Sequence, residues 1–372
     1  MFSNVYAGKK VLVTGHTGFK GSWLSLWLKK MGANVGGVSI SVPTNPSHYE
    51  LSNLKAQLDY EISLDICDVK SLSKVFNEFQ PEILFHLAAE PIVSTCLNDP
   101  KLAFDTNLGG TVNVLECVKN SRTLRSVVIV TSDKCYENVE WDYGYRENDH
   151  LGGKDPYSAS KACAEIAFSA YFRSYFIKNP QLKIASARAG NVIGGGDWGK
   201  DRIVPDCIRA LGSKEEALIR NPNSTRPWQL VLEPLSGYLH LGAELYRESM
   251  AGEGIHAING EAFNFGPRPE VEVNVGKLLQ SMKSRWSLFS WRVEQSHAIQ
   301  GKEAALLKLN CDKALRRLNW RSVLTFDETI EFLTDWYRGW FEDSTKVLEM
   351  SLSQIEHYEE LAIQRGLVWT QR

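Results

Sequence analysis

Residues 10–31 read KVLVTGHTGFKGSWLSLWLKKM, and the change of period within that stretch decides the fold. Lys10 to Thr14 is a short apolar run closed by glycine, the pattern of a strand buried in a parallel sheet. Gly15, Gly18 and Gly21 then open a helix expected over Ser22 to Met31, with Trp23, Leu24, Leu26, Trp27 and Leu28 on its apolar side. Strand, glycine turn and helix in that order form the context of a dinucleotide fingerprint. Gly15 permits the tight turn, Gly18 lets the backbone approach a pyrophosphate, Gly21 lets helix and strand pack closely, and the first-turn N–H groups face the anion. One part of the fingerprint is missing. The second strand should end near Gly36 to Ile40 in an Asp or Glu for the ribose hydroxyls, and Ser39 and Ser41 stand there instead. No arginine is present to meet a 2′-phosphate, so the reading favours NAD over NADP.

Further strand-like runs recur at Val35 to Ile40, Ile83 to His86, Val127 to Thr131 and Lys183 to Ala187, each separated by a helix-length amphipathic segment. That alternation predicts an α/β fold with a doubly wound parallel sheet, a Rossmann architecture. Val112, Leu115 and Val118 mark one intervening helix and Ala162 to Phe176 another. After Ala189 the pattern shortens, punctuated by Gly194-Gly195-Gly196, Pro205, Pro222, Pro227, Pro267 and Pro269, as in a smaller α/β domain whose loops close over a substrate. Phe326 to Leu361 reads as helix, with Trp336, Tyr337 and Trp340 assigned to packing.

The chain of 372 residues is long enough for two domains, and its net charge of -2 offers no attraction to nucleic acid or to an anionic membrane surface. Met1 to Lys9 lacks the pattern of a signal peptide, and no apolar run approaches the roughly 20 residues of a membrane span, so a cytoplasmic protein is expected. Seven cysteines without CxxC pairs suit reduced thiols, and eight histidines without HExxH, His86 among them, suit packing, so no metal is expected.

The chemistry concentrates in Ser132-Asp133-Lys134, at the end of a strand where ligands of such sheets sit, and in Tyr157-Ser158-Ala159-Ser160-Lys161. Tyr157 and Lys161 are four apart, on one helical face, so the ammonium should draw the phenol pKa from about 10 toward neutrality. Ser132, Tyr157 and Lys161 suffice for nicotinamide-dependent hydride transfer. Asp133 and Lys134 add an acid and an amine that such a reaction does not need.

Taken together, Gly15-His16-Thr17-Gly18-Phe19-Lys20-Gly21, Asp65-Ile66, Leu87-Ala88-Ala89, Thr106-Asn107, Ser132 and Tyr157-xxx-Lys161 resemble the extended short-chain dehydrogenase/reductases that act on nucleotide sugars. Within them, Ser132-Asp133-Lys134, the run Arg188 to Trp198 (RAGNVIGGGDW) and Arg226 to Leu232 (RPWQLVL) resemble the CDP-glucose 4,6-dehydratase group, over about residues 8 to 320. The resemblance implies NAD, held by the seven residues Gly15 to Gly21 together with Asp65, Ile66, Leu87, Ala88, Ala89, Asn107, Tyr157 and Lys161. It implies CDP-glucose as substrate, with Asn191 and Arg226 at its diphosphate and Arg202 as a candidate of the same kind. It divides the chain into 1–188 with a returning segment around 228–262 for NAD, and 189–227 with 263–372 for the nucleotide sugar. It implies a homodimer or homotetramer through helices around Leu108 to Val118 and Ala159 to Phe176.

In the implied reaction Tyr157 takes the proton of the sugar 4-hydroxyl, Ser132 holds that oxygen, and Asp133 protonates the departing 6-hydroxyl. Lys134 stands where thymidine- and guanosine-linked relatives carry a glutamate base, and two roles stay open for it: a C5 base, or a cation stabilising the enolate. His16, bulky beside the pyrophosphate, and a cationic Lys134 near the nicotinamide suggest a loosely held cofactor. Two alternatives are a nucleotide-sugar 4-epimerase, which shares Ser132, Tyr157 and Lys161 but needs no elimination acid, and a non-catalytic NAD-binding regulator, which would be free to lose Tyr157 or Lys161.

Overall fold

The computed structural model describes residues 1–251, 258–268, 273–293 and 306–371; Pro269 lies outside them. Seven strands form one parallel sheet: β1 Lys10–Thr14, β2 Asn34–Ser39, β3 Tyr60–Ser63, β4 Ile83–His86, β5 Ser126–Val130, β6 Lys183–Arg188 and β7 Ala262–Asn264, in spatial order 7-6-5-4-1-2-3. The fold expectation therefore holds: a doubly wound Rossmann sheet. The order reverses between β1 and β4, where Val13 pairs with both Gly37 and Phe85, so the crevice at the strands' C-terminal ends opens there. Alternation along β1 explains its wholly apolar run, because Val11 and Val13 enter one core and Leu12 the other.

The helices flank the sheet on both faces. α1 spans Phe19–Lys30, α2 Val69–Phe79, α3 Thr111–Asn120, α4 Pro156–Tyr171, α5 Ile203–Gly212, α6 Leu232–Ala251, α7 Val275–Arg285, α8 Phe326–Glu342 and α9 Val347–Gln364. Trp23 and Trp27 of α1 join Leu235 and Leu239 of α6 in one core, whereas Val75, Phe76, Val114, Leu115 and Phe168 of α2, α3 and α4 fill the other. α6 returns to the sheet, where the Ser126 hydroxyl donates to Gly242 O at 2.7 Å.

Several boundaries differ from those expected. α1 starts at Phe19, three residues before Ser22, because Gly18 takes the extended conformation of an N-cap (φ -71°, ψ 166°). α4 starts at Pro156 rather than Ala159 or Ala162: Asp155 caps it by accepting from the Ser158 N–H at 3.0 Å, and proline suits the first helical position. A π-helical turn, Phe172–Phe176, continues α4, and another, Asp105–Gly110, precedes α3. Phe326 to Leu361 is two helices, broken where Asp343 leaves helical conformation and its carboxylate accepts the Thr345 N–H at 3.0 Å. The short β3 and β7 lacked a readable pattern; β3 is half-buried and β7 has only three residues.

Packing of the C-terminal helices positions the site. Trp336 lies against Gly195 so closely that a Cβ there would be 2.0 Å from the indole, and the Tyr337 hydroxyl donates to Asp197 O at 2.7 Å. Trp340 meets the Trp198 ring at 4.6 Å. All three aromatics thus brace the Gly194 to Trp198 loop from beneath, a packing role as read from sequence. His86 is buried between the Thr14 hydroxyl at 2.7 Å and the Thr111 hydroxyl at 3.1 Å, and burial pushes it down to about 3, so it is neutral.

Candidate active site

The glycine loop lies at the β1 C-terminus. Gly15 has φ +78°, and a Cβ there would come within 2.7 Å of Ala88 N, in the loop after β4. A Cβ on Gly21 would sit 2.0 Å from Gly15 O, so α1 packs onto the turn only because Gly21 lacks a side chain. Gly18 supplies no side-chain cap, which leaves the first turn of α1 open to an anion. These features fit a dinucleotide pyrophosphate.

Two loop residues behave otherwise than the sequence suggested. The His16 ring is buried and turns away from the loop: Nε2 is 2.8 Å from Glu61 Oε1 on β3, and Nδ1 is 3.0 Å from the Ser39 hydroxyl. Gly37 makes this possible, because any side chain there would overlap the imidazole at 2.5 Å. His16 therefore does not crowd the pyrophosphate, and the argument from its bulk falls. Thr17 is also spent, its N–H bonded to the Ser39 hydroxyl at 3.2 Å and its own hydroxyl to Ser41 O at 2.7 Å. The two serines that replace the expected ribose acid hold the loop instead.

The remaining cofactor candidates are dispersed around this crevice. Asp65 is exposed and accepts from Cys67 N at 2.9 Å, while Ile66 is buried against the π-turn, where a Cβ on Gly110 would meet it at 2.4 Å. Leu87, Ala88 and Ala89 form the loop touching Gly15. Asn107 is buried and acts on protein: its amide accepts from Glu90 N at 2.8 Å and donates to the Ser160 hydroxyl at 2.9 Å, tying that loop to α4.

The catalytic candidates converge. Ser132 follows β5 and caps the turn Asp133–Cys135, accepting from Lys134 N at 3.2 Å while its hydroxyl donates to Asp133 Oδ1 at 3.1 Å. Asp133 is 4% exposed, and its carboxylate lies so close over Gly190 that a Cβ there would be 1.8 Å from Oδ2. Asn191, with φ +54°, reaches the same oxygen through Nδ2 at 3.4 Å. The Lys134 ammonium lies 5.8 Å from the centre of the Tyr157 ring. Arg202 Nη1 contacts both oxygens of Asp197, at 3.1 and 3.0 Å. Arg226 lies on a short strand paired with Val273–Asn274, with Nη1 donating to Thr225 O at 2.8 Å.

The electrostatics correct one expectation. Burial pushes the Tyr157 phenol up to about 12, and the hydrogen bond with Ser132 only partly offsets it. Burial likewise pushes Lys161 down to about 8. Helical proximity of the ammonium therefore does not bring the phenol toward neutrality in the ligand-free site, because desolvation disfavours the charged form of both partners.

Sequence reasoning missed Glu165 and Tyr238. Glu165, one turn after Lys161, is buried and accepts from Arg188 Nη2 at 2.8 Å, from Arg188 Nε at 3.0 Å, from the Ser186 hydroxyl at 2.8 Å and from the Thr131 hydroxyl. Arg188 also donates to the Tyr136 hydroxyl at 2.7 Å, which donates to Asn264 Oδ1 at 2.8 Å. The network bolts α4 to the ends of β5, β6 and β7 directly beneath Ser132. A carboxylate interrupting the apolar face of α4 was the available signal. Tyr238, on α6, is fully buried with its hydroxyl within 3.5 Å of Lys20 Nζ. Lys20 thus ties the cofactor loop to α6.

A seven-stranded parallel sheet with a three-glycine loop at its switch point, Ser132 after β5 and Tyr157 and Lys161 on α4 have the form of a Rossmann-type dehydrogenase/reductase scaffold. The chain belongs to the GDP-mannose 4,6 dehydratase family, whose model matches residues 12–333. It is 46% identical over 345 residues to CDP-glucose 4,6-dehydratase of Salmonella typhimurium, covering 91% of this chain and 92% of that protein. It is 24% identical to dTDP-glucose 4,6-dehydratase of the same organism, covering 88% and 92%. Among solved structures it resembles an epimerase from Methanothermobacter thermautotrophicus, with TM-score 0.77, 24% identity and coverage of 93% and 96%. It also resembles Thermus thermophilus UDP-glucose 4-epimerase in complex with NAD, with TM-score 0.71, 22% identity and coverage of 89% and 99%.

Proposed function

We propose that the protein is an NAD-dependent hydro-lyase that converts CDP-glucose to CDP-4-keto-6-deoxyglucose. The observation that carries this reading is the position of Asp133 and Lys134. Both stand beside Ser132 and Tyr157 in a chain 46% identical to a CDP-glucose 4,6-dehydratase. A 4-epimerase needs Ser132, Tyr157 and Lys161 but has no use for a buried acid pinned against Gly190.

NAD, when bound, supplies the two-electron chemistry, taking hydrogen from C4 and returning it to C6. The residues that would hold it are the open first turn of α1 for the pyrophosphate, Lys161 for the nicotinamide ribose, and Asp65, Ile66, Leu87, Ala88 and Ala89 along the crevice, with Asn107 bracing the loop after β4. Burial holds the phenol proton in the ligand-free site, so Tyr157 takes the C4 hydroxyl proton as a phenolate, after filling of the site has released the phenol's own proton to solvent. Ser132 then turns from Asp133 to the C4 oxygen. The ketone at C4 acidifies the C5 proton, and Asp133 protonates the 6-hydroxyl as it leaves. Asn191, Arg202 and Arg226 take the sugar diphosphate, the arginines through their planar donor forks.

Residues 1–188, with the segment around 228–262, carry the cofactor, and 189–227 with 263–372 the nucleotide sugar. The return of α6 to the sheet supports this division. The protein works in the cytoplasm as a homo-oligomer, paired through α3 and α4 with its π-helical extension, where Ile166 and Tyr175 are 56% and 52% exposed. Its product feeds deoxysugar assembly of the O-antigen type. The test is incubation with CDP-glucose and excess NAD, reading the alkali-induced absorbance of a 4-keto-6-deoxy sugar, with UDP-glucose and dTDP-glucose in parallel. Signal from CDP-glucose alone is expected. A 4-epimeric sugar without the keto product would establish the epimerase reading instead.

A further inference from the structure

We propose, on the dehydratase reading above, that Gln229 is a positioning residue for the elimination acid: its amide fixes the Gly190–Asn191 turn on which Asp133 rests. Gln229 lies on the short strand Gln229–Leu230, paired in parallel with Val192–Ile193. It is 1% exposed, and Trp228, Leu230, Val231 and Leu232 beside it in sequence are buried and apolar. Its Nε2 donates to two main-chain carbonyls, Gly190 O at 2.9 Å and Phe265 O at 3.1 Å, which fixes the orientation of the amide. Its backbone N–H donates to Asn191 O at 3.2 Å. One residue thus clamps both members of the turn and ties them to the segment that follows β7.

The carboxylate of Asp133 lies against the Gly190 Cα, closer than any Cβ would permit, and Asn191 Nδ2 reaches its Oδ2 at 3.4 Å. Ser132 holds the other oxygen, Oδ1, at 3.1 Å. Asn191 sits at φ +54°, a region sparsely populated by residues other than glycine. The peptide planes before and after its Cα set that conformation, and the carbonyls of both planes are the ones Gln229 holds. The acid is therefore gripped from the end of β5 on one side and from the clamped turn on the other.

The amide carries a cost, since its Oε1 meets no donor among the described residues. It stands in an otherwise apolar run at the one place where its donors set the turn. A general acid works only with its proton aimed at the leaving oxygen, and about 1 Å of misplacement can cost about 10²-fold. C4 oxidation runs instead on Ser132, Tyr157 and Lys161, which follow β5 or lie on α4. Removal of the amide should therefore separate the two halves of the reaction.

The test uses the full chain, loaded with NAD, carrying Gln229→Met, the closest in shape, or Gln229→Leu. With CDP-glucose, the absorbance of reduced nicotinamide reads C4 oxidation, and alkali treatment reads the keto-deoxy product. Both variants should oxidise C4 in the first turnover within a few-fold of wild type, accumulate reduced cofactor, and form product at least ~100-fold more slowly. CDP-6-deoxy-6-fluoroglucose distinguishes a misplaced acid from a distorted fold. Fluoride leaves with the C6–F bonding pair as a far weaker base than hydroxide and needs no proton, so the variants should eliminate it at close to the wild-type rate. Adding Gln229→Met to Asp133→Asn should bring no further loss of product from CDP-glucose, because one residue acts through the other. The proposal is overturned by loss of cofactor reduction together with product in both variants, by wild-type product formation from CDP-glucose, by failure of the fluoro sugar to restore elimination, or by multiplied losses in the double variant. Absence of product from wild-type enzyme sinks the dehydratase reading itself.

Discussion

At the residue scale, the site depends on contacts too close for any other side chain. Gly190 is the clearest case, because a Cβ there would overlap the Asp133 carboxylate at 1.8 Å. Gly190→Ala should therefore displace the acid and leave Tyr157 and Lys161 in place. We expect product formation to fall by about 10²-fold or more while first-turnover cofactor reduction survives, since the loss is that of a general acid. Loss of both activities together would show that Gly190 shapes more than Asp133. Ser132 makes a similar argument, bonded to Asp133 at 3.1 Å and acting to lower the Tyr157 phenol. Ser132→Ala should slow C4 oxidation itself and leave CDP-glucose affinity within a few-fold, as checked by calorimetry against initial rates.

At the element scale, α4 is the part that must not move, since it carries both Tyr157 and Lys161. Its anchor is the buried pair of Glu165 and Arg188, with side chains 2% and 3% exposed. Removing one partner of such a pair leaves an uncompensated buried charge and costs about 3–5 kcal/mol. Glu165→Ala should lower unfolding stability by that order in urea melts. Glu165→Met combined with Arg188→Met should recover part of the loss, because apolar replacement of both partners removes the unpaired charge. If the double variant is the less stable, the network is worth more than its desolvation. The boundary of α1 matters in the same way. Its start at Phe19 places Lys20 in the first turn, from which the side chain reaches Tyr238.

At the scale of the whole molecule, two buried histidines couple folding to pH. His48 lies between the Ser22 and Ser351 hydroxyls at 2.9 and 3.1 Å, joining α1 to α9, and His86 spans β1 and α3. Burial pushes both down to about 3 from an ordinary 6.5. A depressed pKa means that the unfolded chain binds these protons more readily. The stability they contribute is thus present above about 6.5 and is lost as pH falls toward 3. Glu233 opposes them: burial pushes it up to about 7, so its contribution is lost as pH rises from about 4.5 to 7. Two protons outweigh one, and calorimetric Tm should fall as pH drops from about 6.5 to 4. A flat profile would contradict neutral burial of the histidines. In the same molecule Ile166→Asp should shift the size-exclusion elution toward the monomer if α4 pairs with its copy.

The sequence by itself determined the α/β class, the glycine loop and the pairing of Tyr157 with Lys161 on one helical face, because short-range rules govern them: apolar runs, glycine at tight turns, and an i,i+4 spacing; Ser132 and Asp133 were singled out by their place at a strand end and by resemblance. Even β1, with no alternation, was legible from its apolar run and flanking glycine. Tertiary structure alone decided where long side chains end. It turned His16 into the space over Gly37, spent Thr17 on Ser39 and Ser41, sent Lys20 to Tyr238, and set Glu165 against Arg188. Those outcomes depend on partners from distant strands and helices, and no local pattern reports them. Desolvation acts the same way. The phenol of Tyr157 and the amines of Lys20 and Lys161 titrate according to how much water the packed chain removes, which only the assembled fold decides.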